Sequence, residues 1–327
     1  MSIQSLARAV ILGAATVLAH SAIAQNYPSK PINIVVPYPA GGASDFAARV
    51  LAKDMPSLLK TTMTVDNVVG VAGALGTNKV IAAAPDGYNV LISSPLEMIL
   101  TPLAISAAKY KPEDLRPAAF LGYTSVMLVT RKDLGVNSLE ELNALAKKST
   151  DKSLSYCTPG LGSLYHLMGE KLNQLAGTKN LHVPYNGFPQ CVTNVVGGQI
   201  DFAFLPIAAS FPGFVDSGGI KLIGVAASAP AVRFPKAALM KSSKGFEDFV
   251  FSVWQGIHVS SKTPDDIVGI LNKTTYAALA MPETKKTIEA TGAVVFEPMS
   301  ITQMNAFHAR EIAMYQAIAK SINLQQQ

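Results

Sequence analysis

Charged residues are scarce in this chain of 327 residues, in which Asp, Glu, Lys and Arg make up 15% and hydrophobic residues 49%. This balance is typical of a well-packed globular protein and excludes a disordered or solenoid chain. The 27 basic residues exceed the 22 acidic ones only slightly, and no basic stripe interleaved with aromatic residues occurs. We therefore expect no nucleic-acid partner.

Long hydrophobic runs are absent except near the N-terminus. Arg8 precedes an apolar or small-residue run over residues 9–19, and residues 22–24 supply the small-x-small pattern that signal peptidase cuts. The run is shorter than the ~20 residues needed to cross a bilayer. We predict a signal peptide over residues 1–24 and a soluble, periplasmic mature chain that begins at Gln25.

Cysteine is nearly absent, since Cys157 and Cys191 are the only two. Both lie in turns that contain Gly or Pro, and an exported protein with one pair often holds it as a disulfide. Sequence spacing does not establish the Cα separation of under about 7 Å that a bridge requires. A disulfide and two small buried thiols therefore both remain open.

The motifs of common enzymes are also missing. The sequence has no G-x-S-x-G nucleophile elbow, no H-E-x-x-H motif and only five histidines, one of them in the leader. His166 is a candidate for a cleft-lining turn, where a lone histidine more often forms hydrogen bonds than acts as a base. We predict no catalytic residues, no metal and no cofactor.

Short β-rich runs alternate with amphipathic helices along the mature chain. Residues 32–37, 64–68 and 88–93 are predicted strands, and residues 44–59 and 76–84 are predicted helices. The buried face of the first helix is predicted at Phe46, Val50, Leu51 and Leu58. Strand–helix–strand alternation predicts an α/β fold with parallel sheets and right-handed crossovers.

The alternation restarts downstream and predicts a second α/β unit. Its strands are predicted at 125–130, 154–157, 181–184, 202–205, 222–226 and 251–260, and the later helices at 138–147, 164–176, 190–196, 264–280, 283–291 and 301–319. About 300 mature residues exceed what one compact core usually holds. We predict a discontinuous first lobe, residues 25–124 plus 255–327, and a continuous second lobe, residues 125–254.

A glycine-rich loop, PYPAGGASD at residues 37–45, joins the first predicted strand to the first helix. Gly41 and Gly42 let the backbone approach a ligand closely, and the N–H groups at a helix start favour an anion. The loop lacks the Lys-Ser/Thr of a P-loop and the G-x-G-x-x-G spacing of dinucleotide sites. Ser44 or Asp45 could instead simply cap the helix.

Four further segments offer backbone N–H groups and small hydroxyls at predicted strand ends. They are NVVGVAGALGT at 67–77, SSP at 93–95, YCTPGLGSLYH at 156–166 and VPYNGFPQC at 183–191. In a bilobal α/β protein these ends border a common cleft. A carboxylate could therefore dock between them.

The mature chain resembles the Bug-type extracytoplasmic solute receptors, the binding components of tripartite tricarboxylate transporters. The likeness runs in order through SKPINIVVPYPAGGASDFAARVLA, NVVGVAGALGTNKVIAAAPDGY, YCTPGLGSLYHLMGEKL, HVPYNG, VVGGQIDFAF and TPDDIVGILNKT. It implies a type II periplasmic-binding-protein fold that closes on a small organic anion, such as a di- or tricarboxylate or an aromatic carboxylate. It also implies delivery to the membrane permease subunits of the transporter, and we expect a monomer.

The resemblance also implies roles for particular residues. The first loop would bind the proximal carboxylate through backbone N–H groups, the TPGLGS and YNG segments would engage it from the other lobe, and Asp201 matches a family strand start. Asp201 could equally be a structural acid at a strand end. The predicted ligand-binding residues are Tyr38, Ala40, Gly41, Gly42, Ala43, Ser44, Asp45, Ser93, Ser94, Thr158, Gly160, Gly162, Ser163, His166, Tyr185, Asn186 and Asp201.

The chain departs from the family pattern at several positions. Asn186 stands where relatives often carry Lys, Cys157 stands where they carry a small residue, and Phe188 and Cys191 are atypical. A lost cation and a gained phenylalanine favour a larger, less charged or aromatic ligand, such as an aromatic dicarboxylate. A periplasmic enzyme on the same fold, or a receptor that signals to a membrane sensor, is the alternative function.

Overall fold

The computed structural model describes residues 27–148, 153–185, 187–208, 211–321 and 324–326. The predicted signal peptide and Asn186 therefore lie outside the described residues. The strands of the described part are β1 (Ile32–Val36), β2 (Met63–Asn67), β3 (Asn89–Ser93), β4 (Leu115–Arg131), β5 (Ser155–Thr158), β6 (Leu181–Pro184), β7 (Phe202–Pro206), β8 (Ile220–Ala226), β9 (Ser252–Ser260) and β10 (Val294–Val295).

Helices alternate with these strands, as the sequence pattern predicts. They are α1 (Ala43–Leu59), α2 (Ala74–Ala82), α3 (Thr101–Ala104), α4 (Leu139–Lys148), α5 (Leu164–Ala176), α6 (Phe188–Val196), α7 (Phe211–Asp216), α8 (Asp265–Leu279), α9 (Pro282–Glu289) and α10 (Ile301–Ser321). Short 3₁₀ helices cover Val71–Gly73, Pro112–Asp114 and Met240–Ser242, and a π-helix covers Leu96–Leu100.

The first half of the molecule is a mixed sheet with the strand order β2-β1-β3-β9-β4. Strand β1 pairs in parallel with β2 and β3, as expected from the crossover helices α1 and α2 between them. Strand β9 runs antiparallel to both β3 and β4, and β10 is antiparallel to β4. The prediction of purely parallel sheets is therefore wrong at the strands that connect the two halves.

The second half repeats this arrangement around the other end of β4. Strand β5 pairs in parallel with β6 and β7, whereas β4 pairs antiparallel with β7 and β8. Strands β4 and β9 pair with each other from Leu115↔Ser260 to Ser125↔Ser252. The polypeptide thus passes between the two halves along this antiparallel pair.

Helix α1 shows how the sequence positions the first glycine-rich loop. Its buried residues recur at helical spacing and pack against β1: Ala47, Ala48, Leu51, Met55 and Leu59. Of the predicted buried face, Leu51 is buried, but Phe46 and Leu58 are exposed. The buried stripe is therefore rotated from the predicted one, and it fixes the start of α1 at the carboxyl end of β1.

The hydrophobic core is continuous between the halves on one side of the connecting strands. A single cluster includes Leu91 and Phe120 of the first half together with Tyr156 of the second half, and α10 covers it. Trp254 Nε1 on β9 donates to Glu311 Oε2 on α10 over 2.9 Å. Among the described helices, none combines the length and apolar character needed to cross a membrane.

Candidate ligand-binding site

Two backbone N–H groups at the start of α1 have no hydrogen-bond partner among the described residues. Helix α1 begins after Gly42, whose φ and ψ are −81° and 173°, and no side chain caps the first turn. The first intrahelical hydrogen bond runs from Phe46 N to Gly42 O over 2.9 Å. Among the described residues, no acceptor bonds the N–H groups of Ala43 and Ser44. Since the first amides of a helix need partners, they can receive an anion.

The two glycines of this loop have different roles. Gly41 has φ +85°, a left-handed conformation that favours glycine, whereas φ at Gly42 is allowed for any residue. A Cβ added at Gly42 would contact only Pro39 O, at 3.6 Å. Residues 40–43 are all exposed. A side chain at Gly42 would therefore fit the fold and project into the space in front of the amides.

Asp45 organises the loop from inside. Its buried carboxylate accepts hydrogen bonds from Gly41 N (2.9 Å), Arg49 Nε (2.8 Å) and Asn67 Nδ2 (3.0 Å). The Arg49 hydrogen bond, with those from Gly41 and Asn67, lowers the pKa of Asp45 to about 2 despite burial. Asn67 also donates to Tyr38 O over 3.0 Å. The Asp45 carboxylate thus faces the loop backbone, and neither Asp45 nor Ser44 caps α1 with its side chain.

The loop after β2 forms the neighbouring wall of the first half, and its backbone is strained. Gly70, Val71, Ala72 and Gly73 all have positive φ. The two residues with side chains, Val71 and Ala72, both have a φ of +49°. A β-branched residue is rarely left-handed. Thr101 of α3 donates its hydroxyl to Ala72 O over 2.9 Å and so holds this conformation.

The loop after β5, in the second half, is closed by its own hydrogen bonds. The hydroxyls of Thr158 and Ser163 donate to Gly160 O over 3.0 and 2.7 Å. Gly162 N donates to His166 Nδ1 over 3.1 Å, so this ring nitrogen carries no proton. Burial lowers the pKa of His166. Thr158, Ser163 and His166, which the sequence predicts as ligand-binding residues, therefore hold the shape of the loop through these hydrogen bonds. The His166 ring is neutral, because its Nδ1 accepts a hydrogen bond.

The loop after β6 lies beside it and is tied to it. Tyr185 N donates to Thr158 O over 3.0 Å, and its hydroxyl accepts from Asn194 Nδ2 at 2.5 Å. The sulfur atoms of Cys157 and Cys191 are bonded, which joins the end of β5 to α6. Of the two states that the sequence left open, the structure has the disulfide.

Phe188 adds an aromatic wall to this part of the second half. Its ring lies 4.7 Å from that of Tyr165 and 5.2 Å from that of Phe211, measured between centroids. Burial, followed by the charge of Glu97 and the hydrogen bond to it, raises the pKa of Tyr38 in the first half, and Tyr165 acts in the same direction. Phe188 thus packs on Tyr165, which is buried in the core.

The two halves meet directly at Gly162. A Cβ added there would come within 2.1 Å of the Ala104 Cβ on α3. Gly162 also has φ +71°. Glycine at this position therefore allows the β5 loop to pack against the first half, close to the strained loop that Thr101 holds.

Two predicted ligand-binding residues lie elsewhere. The Ser93 hydroxyl is fully buried, donates to Gly256 O over 3.2 Å and lies 2.5 Å from His258 Nδ1. Asp201 lies at the start of β7, the opposite end of the strand from the loops, where it accepts from Arg131 Nε and Ser155 N. Ser93 therefore belongs to the core, and Asp201 anchors the strand starts beside a depression of about 790 Å³.

Sequence reasoning did not single out Glu97, the most unusual group near the cleft. It is fully buried on the π-helix and accepts from Ser94 N, from Ser94 Oγ (2.7 Å) and from Tyr38 Oη (2.9 Å). Burial raises its pKa to about 7. The available signal was an acid inside the apolar run LEMIL, because a buried carboxylate is costly unless it is bonded.

The candidate cleft has little positive charge to offer an anion. Residues 37–45, 67–77, 93–95, 156–166 and 183–191 contain no Lys or Arg. Arg49 is the nearest cation along the first loop, and it is occupied by Asp45. In the part of the chain that the structure describes, no three His, Cys, Asp or Glu side chains form a metal-binding group. The donors that these segments offer therefore include main-chain amides and hydroxyls but no Lys or Arg side chain.

Two α/β halves joined by crossing strands, with loops from both halves brought together at the strand ends, define the two-lobed fold of a periplasmic binding protein. The family model of the tripartite tricarboxylate transporter family receptor matches residues 47–324, and the chain belongs to this family. The family resemblance drawn from the sequence is confirmed.

Individual relatives agree with this assignment. Protein BugT of Bordetella pertussis is 30% identical over 303 residues, which cover 91% of this chain and 90% of BugT. The structure of the periplasmic binding protein BugD matches with a TM-score of 0.78 at 28% identity, over 92% of this chain and 100% of BugD. MatC of Rhodopseudomonas palustris, solved with bound malate, has a TM-score of 0.77 at 24% identity, over 89% and 99%, and supports the fold.

Proposed function

We propose that this protein captures a small organic carboxylate between its two lobes in the periplasm and delivers it to the membrane subunits of a tripartite tricarboxylate-type transporter. The mature chain begins at Gln25, after cleavage behind Ala24. The first lobe comprises residues 25–124 and 255–327, and the second comprises residues 125–254. Binding and release, with no chemical conversion, are its activity.

One observation carries this proposal. The N–H groups of Ala43 and Ser44 lack partners among the described residues, at a helix start where Ala43 is exposed and Ser44 is buried. The Asp45 carboxylate holds this loop in shape through Gly41 N. Unbonded amides together with a helix dipole stabilise a carboxylate without any cation. Because Gly42 leaves the space before these amides empty, a carboxylate can reach them.

The second lobe supplies the other wall. Hydrogen bonds within the β5 loop and the Cys157–Cys191 bridge fix that wall before any ligand arrives. A preformed wall reduces the ordering cost of binding. Asn186 in place of a lysine and the aromatic surface of Phe188 support a ligand with an apolar body rather than a highly charged one.

Calorimetry with a panel of mono-, di- and tricarboxylates tests the proposal. We expect a few members to bind and to raise the melting temperature, since a ligand at a hundredfold excess over Kd stabilises the folded state by about 2.7 kcal/mol. Each bound compound is then incubated with the protein and recovered. A panel without any binder, or a product formed at catalytic protein levels, contradicts the proposal.

A further inference from the structure

Glu97 is a buried carboxylate without a cationic partner among the described residues. Its Oε2 accepts from two hydroxyls, Ser94 Oγ at 2.7 Å and Tyr38 Oη at 2.9 Å, and its Oε1 accepts from Ser94 N. The hydroxyl of Tyr110 donates to its main-chain carbonyl. Every group that contacts Glu97 through a hydrogen bond is thus a neutral donor.

The other titratable groups around the π-helix leave this charge uncompensated. Burial raises the pKa of Tyr38, Tyr110 and Tyr165, so all three are neutral. On the helices packed against the π-helix, Lys79 of α2 pairs with Asp66, and Glu311 of α10 bonds Trp254. The α10 side chains Arg310 and Lys320 are exposed, and Tyr315 is buried. His308 of α10 is also buried, and because burial lowers its pKa to about 4, it is neutral at pH 6 and pH 8.

The ionised form of Glu97 fixes the direction of two hydroxyl hydrogens. Tyr38 Oη and Ser94 Oγ each have one hydrogen, and both hydrogens point to Glu97 Oε2. These oxygens can then only accept hydrogen bonds from anything on their other side. Ser94 is almost fully buried, whereas Tyr38 is partly exposed and begins the first ligand loop.

We propose that Glu97, acting through Tyr38, is a specificity-determining residue that makes the cleft select ligands with a single carboxylate over dicarboxylates of the same skeleton. This inference rests on the proposed function. One carboxylate occupies the amides of Ala43 and Ser44. A second carboxylate near Tyr38 meets lone pairs and a buried negative charge, with no lysine or arginine in the loops to offset them.

Neutralising Glu97 reverses this preference. In Glu97→Gln, the amide Nε2 takes the place of Oε2 and donates to both hydroxyls. The hydrogen of Tyr38 Oη is then free to donate to a ligand carboxylate. The substitution removes the buried charge and changes the hydroxyl direction while it keeps the size of the side chain.

Calorimetry with two matched pairs, hexanoate with adipate and benzoate with terephthalate, tests the inference. At pH 8 we expect the wild type to bind at least one monocarboxylate at least tenfold more tightly than its dicarboxylate, a difference of about 1.4 kcal/mol. Glu97→Gln should reduce this ratio about fivefold or more. At pH 6 the ratio should fall in the wild type and stay constant in Glu97→Gln.

Glu311→Gln is the matched control, because it neutralises another buried glutamate, the one that accepts a hydrogen bond from Trp254 Nε1. We expect it to keep the wild-type ratio. A ratio that Glu97→Gln leaves unchanged, or a wild type that binds the dicarboxylate of each pair as tightly, overturns the inference while the proposed function stands. If no carboxylate binds the wild type, the proposed function fails, and the inference fails with it.

Discussion

Gly162 of the second half and Ala104 of the first half are so close that a Cβ added at Gly162 would lie 2.1 Å from the Ala104 Cβ. We expect Gly162→Ala to push the β5 loop away from α3 and to lower ligand affinity at least tenfold. It should also lower the free energy of unfolding by about 1–3 kcal/mol, because the added atom overpacks the contact. Calorimetry and urea denaturation measure both effects.

Gly177→Ala is the control for this experiment. Gly177 also has a left-handed φ, +64°, but an added Cβ there meets nothing within 4 Å. It should cost about 1–2 kcal/mol of stability through the backbone alone and leave the affinity unchanged. An equal loss of affinity in both variants would assign the effect to backbone strain and not to contact between the halves.

Gly42→Val should block the amides at the start of α1. Its φ of −81° suits valine, and Pro39 O at 3.6 Å leaves room for the Cβ. We expect affinity to fall at least tenfold and stability to change by less than about 0.5 kcal/mol, as for an exposed position. Gly42→Ala should show a smaller loss. Wild-type affinity in Gly42→Val, measured by calorimetry, would remove this loop from the site.

Asp45→Asn should loosen the first loop, since Asp45 accepts three hydrogen bonds there. We expect a loss of about 1–3 kcal/mol at pH 7 and weaker ligand binding. The folded pKa of about 2 lies below the ordinary 3.8, so the stabilisation is present above pH 4 and is lost as pH falls through 2. The two proteins should therefore converge in stability toward pH 2.

Arg49→Ala separates the role of the carboxylate from that of its ion pair. The Arg49 side chain is 57% exposed, so solvent screens its charge, while its partner Asp45 is buried and keeps two other donors. We expect loss of the guanidinium to lower the free energy of unfolding only slightly. Ligand affinity should remain at the wild-type level in this variant. If Arg49→Ala weakens binding as much as Asp45→Asn, the guanidinium and not the loop geometry is responsible.

Removal of the disulfide should destabilise the second half. The bridge closes a separation of 34 residues, for which chain entropy predicts about 3–4 kcal/mol. The double variant Cys157→Ala, Cys191→Ala and the reduced wild type should both show this loss in urea denaturation. The oxidised wild type should be unaffected by alkylating reagent, and labelling of two thiols in it would contradict the bridge.

Glu97→Gln should also change how stability depends on pH. The pKa of Glu97 is about 7 in the folded protein, above its ordinary value, so its favourable contribution is complete below pH 4.5 and is lost as pH rises through 7. The variant should gain roughly 1–3 kcal/mol relative to the wild type between pH 5 and pH 8. Denaturation of both proteins across this range measures the difference, and parallel curves would contradict it.

Local sequence patterns predict the regular elements well where one period dominates. The helix predicted over 44–59 is observed as Ala43–Leu59, and the strand predicted over 181–184 is observed as Leu181–Pro184. The first half of β4 escapes prediction because Pro117 and Gly122 interrupt its pattern, and its pairing with β9 shifts register near both residues. That half owes its strand conformation to β9, which lies far away in sequence.

The candidate site could be predicted only in part from the sequence, for a similar reason. A glycine-rich strand-to-helix turn is a local pattern, so the loop at 37–45 stands out. The burial of Ser93 and the hydrogen bond from Tyr38 to Glu97 depend on which distant residues meet, and no spacing encodes them. The two donors that Ser94 gives to Glu97 are local, three residues away. Asp45 is visible in the sequence, but its partner Asn67 is supplied by another strand.

The left-handed stretch at Val71 and Ala72 has a practical consequence. Conformations of this kind cost about 1–3 kcal/mol each in residues with a side chain. This strain lowers the free energy of unfolding of the native protein. The substitution Val71→Gly should recover part of that loss, because glycine adopts a positive φ without strain. A variant without the backbone strain at position 71 would be a better starting point for an immobilised detector, which must survive storage and repeated washing.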